Sequence, residues 1–117
     1  MNMLLVAQVK LMGNNKYYTL ENGEELNREF SETFFIPTRQ EREHLLPGEI
    51  VKLMFRISFD NEQQVERMWV IIQERTADGY IGLLDNDPYC TEKLRAGEIV
   101  KFKPEHIIQI YEELHQA

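Results

Sequence analysis

Apolar and polar residues repeat with two different periods along the chain, and the change of period separates predicted helices from predicted strands. In the first part, "MLLVAQV" and "KYYTL" predict two short strands joined by a turn at "MGNNK", because Gly and Asn tolerate the left-handed backbone of tight turns. Asn22 and Glu25 then predict a short capped helix, with Leu26 and Phe30 on one face.

A second helix start lies at Thr38, where Glu41 stands three residues later and completes a capping-box pattern before "REHLL". Pro47 and Gly48 end this helix. From Gly48 onward the period is two, so "EIVKLMFRISF" predicts a half-buried strand to about Phe59, and "DNEQQ" predicts the polar connection that follows.

The strongest strand pattern is "VERMWVIIQER", because its apolar run from Met68 to Ile72 is too continuous for an edge strand that faces solvent. We expect this strand to be central, with a hairpin turn at "TADG" and a returning antiparallel strand in "YIGLLDND". "EIVKFKP" predicts another strand. For residues 104–116 we expect a helical turn over Pro104–His106 and then a closing strand, with a continuous helix as the alternative.

The sequence GEIVK occurs twice, in "LLPGEIVKLMF" and in "LRAGEIVKFKP". In both copies a Leu stands three residues before the Gly, the Gly permits a backbone conformation that other residues resist, and the next residues start a strand. The flanking sequences do not align further. We therefore interpret the repeat as a feature of the fold, used twice to enter the sheet, and not as a functional motif.

Together these elements predict a small β-rich α+β domain. Its antiparallel, partly closed sheet is expected to be SH3-like or another small barrel, with one or two short helices. A length of 117 residues suits a single domain over residues 1–117. Within it we expect an N-terminal hairpin and extension over residues 1–36 and a β-rich core over residues 37–117.

Composition places the chain among globular proteins, with 43% hydrophobic and 28% charged residues. No segment approaches the roughly 18 consecutive apolar residues of a membrane helix, and the first residues lack the pattern of a signal peptide. The single cysteine excludes an internal disulfide and fits a reducing compartment. We therefore expect a soluble cytoplasmic protein that does not bind membranes.

The net charge of −7 is concentrated in the second half, where residues 59–117 carry twelve Asp and Glu against six Lys and Arg. Nucleic-acid binding depends on Lys and Arg contacts with phosphates, so this charge disfavours nucleic acid as a partner. It favours another protein, in particular a basic one, because an acidic surface speeds the encounter with positive charge.

The best candidate for chemistry is "GLLDNDPYC", in which Asp85 and Asp87 follow a strand and could act as acid and base, with His106 as a proton carrier. The alternative is an ordinary turn whose Asp side chains accept bonds from nearby backbone amides. Calcium-loop, zinc, nucleotide and hydrolase motifs are absent from the sequence, so we predict neither a metal nor a cofactor.

The acidic surroundings of Cys90 are expected to raise its pKa, which argues against a reactive nucleophile.

Exposed aromatic and polar residues near this stretch are candidates for binding. Trp69 is either an interface residue or, more often for a central strand, part of the core. We expect several tyrosines to lie at the surface, namely Tyr17, Tyr18, Tyr80 and Tyr89. The candidate binding residues are Trp69, Asn86, Asp87, Pro88 and Tyr89.

Two stretches, "ERMWVIIQERTADGYIGLLDNDPY" and "LRAGEIVKFKPEHIIQI", resemble the bacterial family known as domain of unknown function 2314 (DUF2314). The resemblance covers about residues 65–111, and "TFFIPTRQEREHLLPGEIVKL" is similar to an upstream extension of some relatives. It implies a fold and no activity. The matching residues are Trp69, Val70, Gly82, Leu84, Asn86, Pro88, Gly97, Glu98 and Val100.

Three functional hypotheses follow, and we rank the non-enzymatic one first: a protein-binding accessory or immunity-type module. The second is a metal-dependent or acid/base hydrolase, which requires Asp85, Asp87 and His106 to converge in one pocket. The third hypothesis is a nucleic-acid-binding small barrel, whose cationic surface would consist of Lys52, Arg56, Arg67, Lys101 and Lys103.

The oligomeric state is a separate question. A homodimer is possible under any of these hypotheses, because so small a sheet leaves open edges.

Overall fold

A curled antiparallel sheet of six strands forms the protein, as described by a computed structural model over residues 13–112. Two short helices and one 3-10 turn accompany it, which confirms the predicted fold class. The predicted strand "MLLVAQV" lies outside the described residues. The elements are β1 (Tyr18–Leu20), α1 (Gly23–Glu29), α2 (Arg39–Glu43), β2 (Ile50–Phe59), β3 (Glu62–Arg75), β4 (Tyr80–Leu84), β5 (Ile99–Phe102), the 3-10 turn (Pro104–His106) and β6 (Ile107–Ile110).

The sheet is ordered β1-β2-β3-β4-β5, and β6 also pairs with β2. This order confirms that β3 is central. The 3-10 turn at Pro104–His106 and the strand β6 that follows it confirm the predicted helical turn and closing strand. The alternative of a continuous helix is therefore wrong. None of the helices in the described part of the chain is long and apolar enough to cross a membrane.

Strands β2 and β3 form one long hairpin, in which every residue of β2 has a partner from Ile50 opposite Ile71 to Phe59 opposite Glu62. The turn consists of Asp60 and Asn61, whose φ angles of 44° and 64° are those of a two-residue type I′ turn. The prediction of "DNEQQ" as a connection is therefore wrong after Asn61. Because two residues suffice to reverse the chain, the polar residues that follow are exposed positions of β3.

The core consists of the inward-facing residues of these strands, and burial alternates along both of them. Met68, Val70 and Ile72 are the buried residues of β3, so the alternation places Trp69 on the outer face, where it is half-buried. The expectation that Trp69 belongs to the core is wrong for this reason. The fully buried side chains include Val51, Leu53, Phe55, Ile57, Val70, Ile72, Leu94, Val100 and Ile107.

Tyr18 and Tyr80, expected at the surface, are buried in the core instead. The Tyr80 hydroxyl donates to the carbonyl of Arg42 at 2.6 Å and accepts from the amide of Leu45 at 3.2 Å, so it connects β4 to the end of α2. The Tyr18 hydroxyl has no hydrogen-bond partner among the residues that the structure describes. Burial, assisted by the charge of Glu98, raises the pKa of Tyr18 far above its usual value.

The side chain of Asn14 contributes to the partial closure of the sheet. Its amide donates to the carbonyl of Lys101 at 2.6 Å and its oxygen accepts from the amide of the same residue at 2.7 Å. This pair of bonds imitates the backbone of a neighbouring strand at the edge of β5. Because Asn14 shortly precedes β1, which pairs with β2, the chain bridges the two ends of the curled sheet.

The GEIVK repeat encodes the same turn in both places. Gly48 and Gly97 have φ angles of +96° and +94°, and each is the third residue of a turn closed by a bond of 3.1 Å from the following Glu amide. A positive φ at this position is the reason that glycine is required. Each Gly amide then donates at 2.8 Å to the adjacent strand, at Ile72 in one copy and at Leu84 in the other. The repeat therefore reflects the fold.

Both predicted helix caps are present. The Asn22 side chain accepts from the amide of Glu25, and Thr38 and Glu41 form the capping box at the start of α2. Arg42 is a buried residue of α2, and its side chain connects this helix to its neighbours. Its guanidinium donates to Glu24 and to the carbonyls of Pro37 and Pro104, so it joins α1, α2 and the 3-10 turn. Hydrogen bonds of this one side chain therefore hold the two helices and the 3-10 turn together.

We expect Tyr80→Phe to lower the free energy of unfolding by about 1–3 kcal/mol, because it leaves the buried carbonyl of Arg42 and amide of Leu45 without a partner. Tyr18→Phe is the matched control, and it should leave stability unchanged or raise it by up to about 1 kcal/mol. Urea unfolding of both variants measures the difference. Equal losses in the two variants would contradict this assignment of hydrogen bonds.

Candidate functional site

The candidate residues 85–90 lie in the connection from β4 to β5, and we call residues 85–96 the Tyr89 loop. The loop begins against β3: the amide of Asp85 donates to the carbonyl of Trp69 at 2.9 Å, and the side-chain oxygen of Asn86 accepts from the Trp69 amide at 2.6 Å. At its other end Leu94 is fully buried in the core. The loop is thus fixed to the sheet at both ends.

The carboxylate of Glu66 holds the middle of the loop. It accepts from the amide of Tyr89 at 3.0 and 3.1 Å through its two oxygens, and from the amide of Cys90 at 3.0 Å. Burial alone would raise the pKa of Glu66, but the bonds from Tyr89 and Cys90 outweigh it and leave the pKa below its usual value. Across the loop, Asp87 accepts from the amide of Ala96 at 2.9 Å.

The side chain of Tyr89 projects from this supported backbone and is 97% exposed. Around it, residues 85–92 carry three carboxylates, those of Asp85, Asp87 and Glu92, and neither Lys nor Arg. The Glu92 side chain is itself 90% exposed, with Arg95 at 3.7 Å. Residues 93–96 add Lys93 and Arg95, so the loop as a whole has a net charge of −1, three Asp and Glu against two Lys and Arg. Its acidic residues are therefore concentrated over residues 85–92, around Tyr89 in the sequence.

A second surface lies on the outer side of the sheet, where cations alternate with aromatic rings. The ammonium nitrogen of Lys52 lies 4.4 Å from the ring centroid of Trp69, and the guanidinium carbon of Arg67 lies 5.6 Å from that of Phe34. Tyr111 packs edge-on against Trp69, with ring centroids 5.7 Å apart. We define the cation–aromatic face by the six residues Phe34, Lys52, Met54, Arg67, Trp69 and Tyr111.

The proposed cationic residues are thus brought together in part. Lys52 and Arg67 share the outer face of β2 and β3, and Arg56 lies on the same face but forms an ion pair with Glu21. Lys101 lies on β5, two strands away from β3, and Lys103 follows the end of β5.

The structure does not bring Asp85, Asp87 and His106 together. In the β4–β5 pair, Leu83 lies opposite Ile99 and Tyr80 lies opposite Phe102. The two aspartates therefore follow one end of this pair, whereas His106 follows the other. Among residues 13–112 no three or more His, Cys, Asp or Glu side chains form a group that could hold a metal ion.

His106 has a local structural contact. Its Nδ1 atom accepts from the amide of Lys103 at 2.9 Å, within the 3-10 turn. Burial lowers the pKa of His106 below its usual value, although the charge of Glu105 acts in the opposite direction. The neutral ring that this favours is the form able to accept the bond at Nδ1.

The role of Glu66 was not predicted from the sequence. Glu66 lies 23 residues before Tyr89, and no local motif connects the two. The sequence contained one signal. Side chains alternate between the two faces of a strand, so Glu66 lies on the same face of β3 as the buried Met68 and Val70. A carboxylate on the inward side of a strand requires hydrogen-bond donors, and here the loop supplies them.

Burial, followed by the hydrogen bond and charge of Glu66, raises the pKa of Cys90 to about 11. The direction of the pKa change agrees with the sequence-based expectation, but its first cause is burial, and the carboxylate that contributes is Glu66 of β3. The neutral thiol is therefore the form present near pH 7, since the thiolate forms only as the pH approaches that value.

At pH 8 we expect the folded protein to be alkylated at Cys90 about tenfold more slowly than the urea-unfolded chain. The raised pKa reduces the thiolate about a hundredfold, and the greater nucleophilicity of that thiolate offsets part of the loss. Glu66→Gln should speed the reaction by removing the nearby charge. Iodoacetamide labelling followed by mass spectrometry measures both rates, and equal rates for folded and unfolded wild-type protein would contradict the assignment.

Comparison with known proteins identifies one family. The model of DUF2314, described as an uncharacterized protein conserved in bacteria, matches residues 18–111. The match extends from β1 to β6 and is wider than the stretch over which the sequence resemblance was noted. No curated protein and no solved structure matches the chain significantly. The chain therefore belongs to the DUF2314 family.

Proposed function

We propose that this protein is a non-enzymatic protein-binding module that presents Tyr89 to a basic partner protein. The observation that carries the proposal is the contrast between the side chain of Tyr89, which is 97% exposed, and its backbone, whose amide is held by Glu66. Tyrosine is among the residues enriched at the energetic centres of protein interfaces. A tyrosine exposed to this degree contributes little to the stability of its own chain.

The fixed loop supports this function because binding then costs little conformational entropy. Ordering a loop on association opposes binding, and a loop held in one conformation beforehand avoids most of that cost. Five contacts hold the Tyr89 loop: those of Asp85, Asn86, Asp87 and Glu66, and the burial of Leu94.

The charge of the loop supports a basic partner. The loop has a net charge of −1, three carboxylates against Lys93 and Arg95, which has the same sign as the net charge of −7 of the whole chain. The field of this negative charge attracts a positively charged protein and raises the rate of encounter, an effect that salt reduces.

The hydrolase alternative ranks lower because its proposed groups are separated and engaged elsewhere. Asp87 accepts from the Ala96 amide and His106 accepts from the Lys103 amide. An accessory role and an immunity-type role both fit this proposal, because each requires a rigid surface that recognises one protein.

We expect Tyr89→Ala to abolish binding of one specific basic protein while leaving stability within about 0.5 kcal/mol of wild type. The test is quantitative affinity capture from bacterial lysate at low and high salt, with wild type, Tyr89→Ala and Leu46→Ala. Leu46 is 60% exposed and lies outside the loop, so its variant is the matched control.

A basic protein retained by wild type and Leu46→Ala, lost from Tyr89→Ala and released by high salt supports the proposal. Its purified form should then bind with at least tenfold lower affinity to Tyr89→Ala, as expected for a central interface tyrosine. Identical captured proteins for Tyr89→Ala and wild type would contradict the proposal.

A further inference from the structure

We infer that the cation–aromatic face is a second binding surface, which takes an acidic segment of a partner protein. This surface differs from the Tyr89 loop in position and in sign of charge. Cross-strand pairs form its centre, with Lys52 opposite Trp69 and Met54 opposite Arg67. The backbone amide of Trp69 donates to Asn86 of the Tyr89 loop, whereas its side chain belongs to the cation–aromatic face. The two surfaces are therefore adjacent and differ in chemistry.

The two cations of this face have no carboxylate partner among residues 13–112, although the chain has a net charge of −7. Other arginines of the chain do form ion pairs, as Arg42 does with Glu24 and Arg56 does with Glu21. Lys52 and Arg67 instead lie over aromatic rings. An aromatic ring stabilises a cation without using its hydrogen-bond donors.

Arg67 is suited to bind a carboxylate. A guanidinium close to an aromatic ring is held in position, and its N–H groups match the two oxygens of a carboxylate. Lys52 lies on the neighbouring strand and offers a second positive charge beside the first. Met54, Trp69 and Tyr111 surround these charges with apolar contact area, and such residues are enriched at protein interfaces.

An acidic peptide fits this surface better than a nucleic acid does. A nucleic acid carries a phosphate at every nucleotide, and its binding requires many Lys or Arg contacts. Within residues 13–112 the face offers two cations without a carboxylate partner, while Arg56 beside them forms an ion pair with Glu21. The overall negative charge of the protein also repels a long polyanion more strongly than a short segment with a few carboxylates.

Trp69 gives a direct test, because it is the single tryptophan of the chain and lies within the proposed site. The experiment titrates the protein at low ionic strength with end-blocked hexaglutamate and records tryptophan emission. Parallel titrations use hexalysine and a hexamer of thymidylate. We expect a saturable change with hexaglutamate that salt weakens, no change with hexalysine, and weaker binding of the oligonucleotide.

Variants connect the signal to the face. Arg67→Gln should weaken hexaglutamate binding about fivefold, as expected for an exposed ion pair, and the double variant with Lys52→Gln should abolish it. Arg95→Gln removes an equal charge from the Tyr89 loop and should have no effect beyond that of the net charge. Tyr89→Ala should also bind hexaglutamate normally, so failure of this inference is distinguishable from failure of the proposed function.

Three results would overturn the inference. The first is the absence of any change in Trp69 emission with hexaglutamate. The second is binding of the thymidylate hexamer as tight as that of hexaglutamate, which would identify a nucleic-acid surface. The third is a change in emission with protein concentration alone, which would show that a second copy of this chain covers the face.

Discussion

The pairing of β2 with β3 is the constraint on which the rest of the structure depends. A two-residue turn at Asp60 and Asn61 sets the register, and every residue of β2 then has a partner on β3. The other strands attach to this hairpin, with β1 and β6 on β2 and with β4 on β3. Because side chains alternate between the two faces, a slip by one residue would place the core residues in solvent.

The same register creates both proposed binding surfaces. On the inner side it places Glu66 beneath the loop, where the carboxylate meets the amides of Tyr89 and Cys90. On the outer side it places Lys52 opposite Trp69 and brings Arg67 beside them. The hairpin therefore supports the Tyr89 loop on its inner side and the cation–aromatic face on its outer side.

The sequence predicted the elements whose causes are local. The caps at Asn22 and Thr38, the turn that contains the glycine of each GEIVK copy, and the final strand all depend on neighbouring residues. The exposure of single aromatic residues was predicted less well, because burial depends on which face of a strand a residue occupies. Tyr18 and Trp69 were misassigned for this reason. The contact between Glu66 and Tyr89 joins distant parts of the chain, so only the folded register reveals it.

The hydrogen bonds to Glu66 are expected to hold the Tyr89 loop in one conformation before any partner binds. Amide hydrogen exchange measured by NMR tests it most directly, at the amides of Tyr89 and Cys90 in wild type and in Glu66→Ala. Both amides donate to Glu66, so we predict slowed exchange in wild type and its loss in the variant, while the amide of Ile72 in β3 remains protected in both proteins. Exchange of the two loop amides at the rate of an unstructured peptide in wild type would contradict the account.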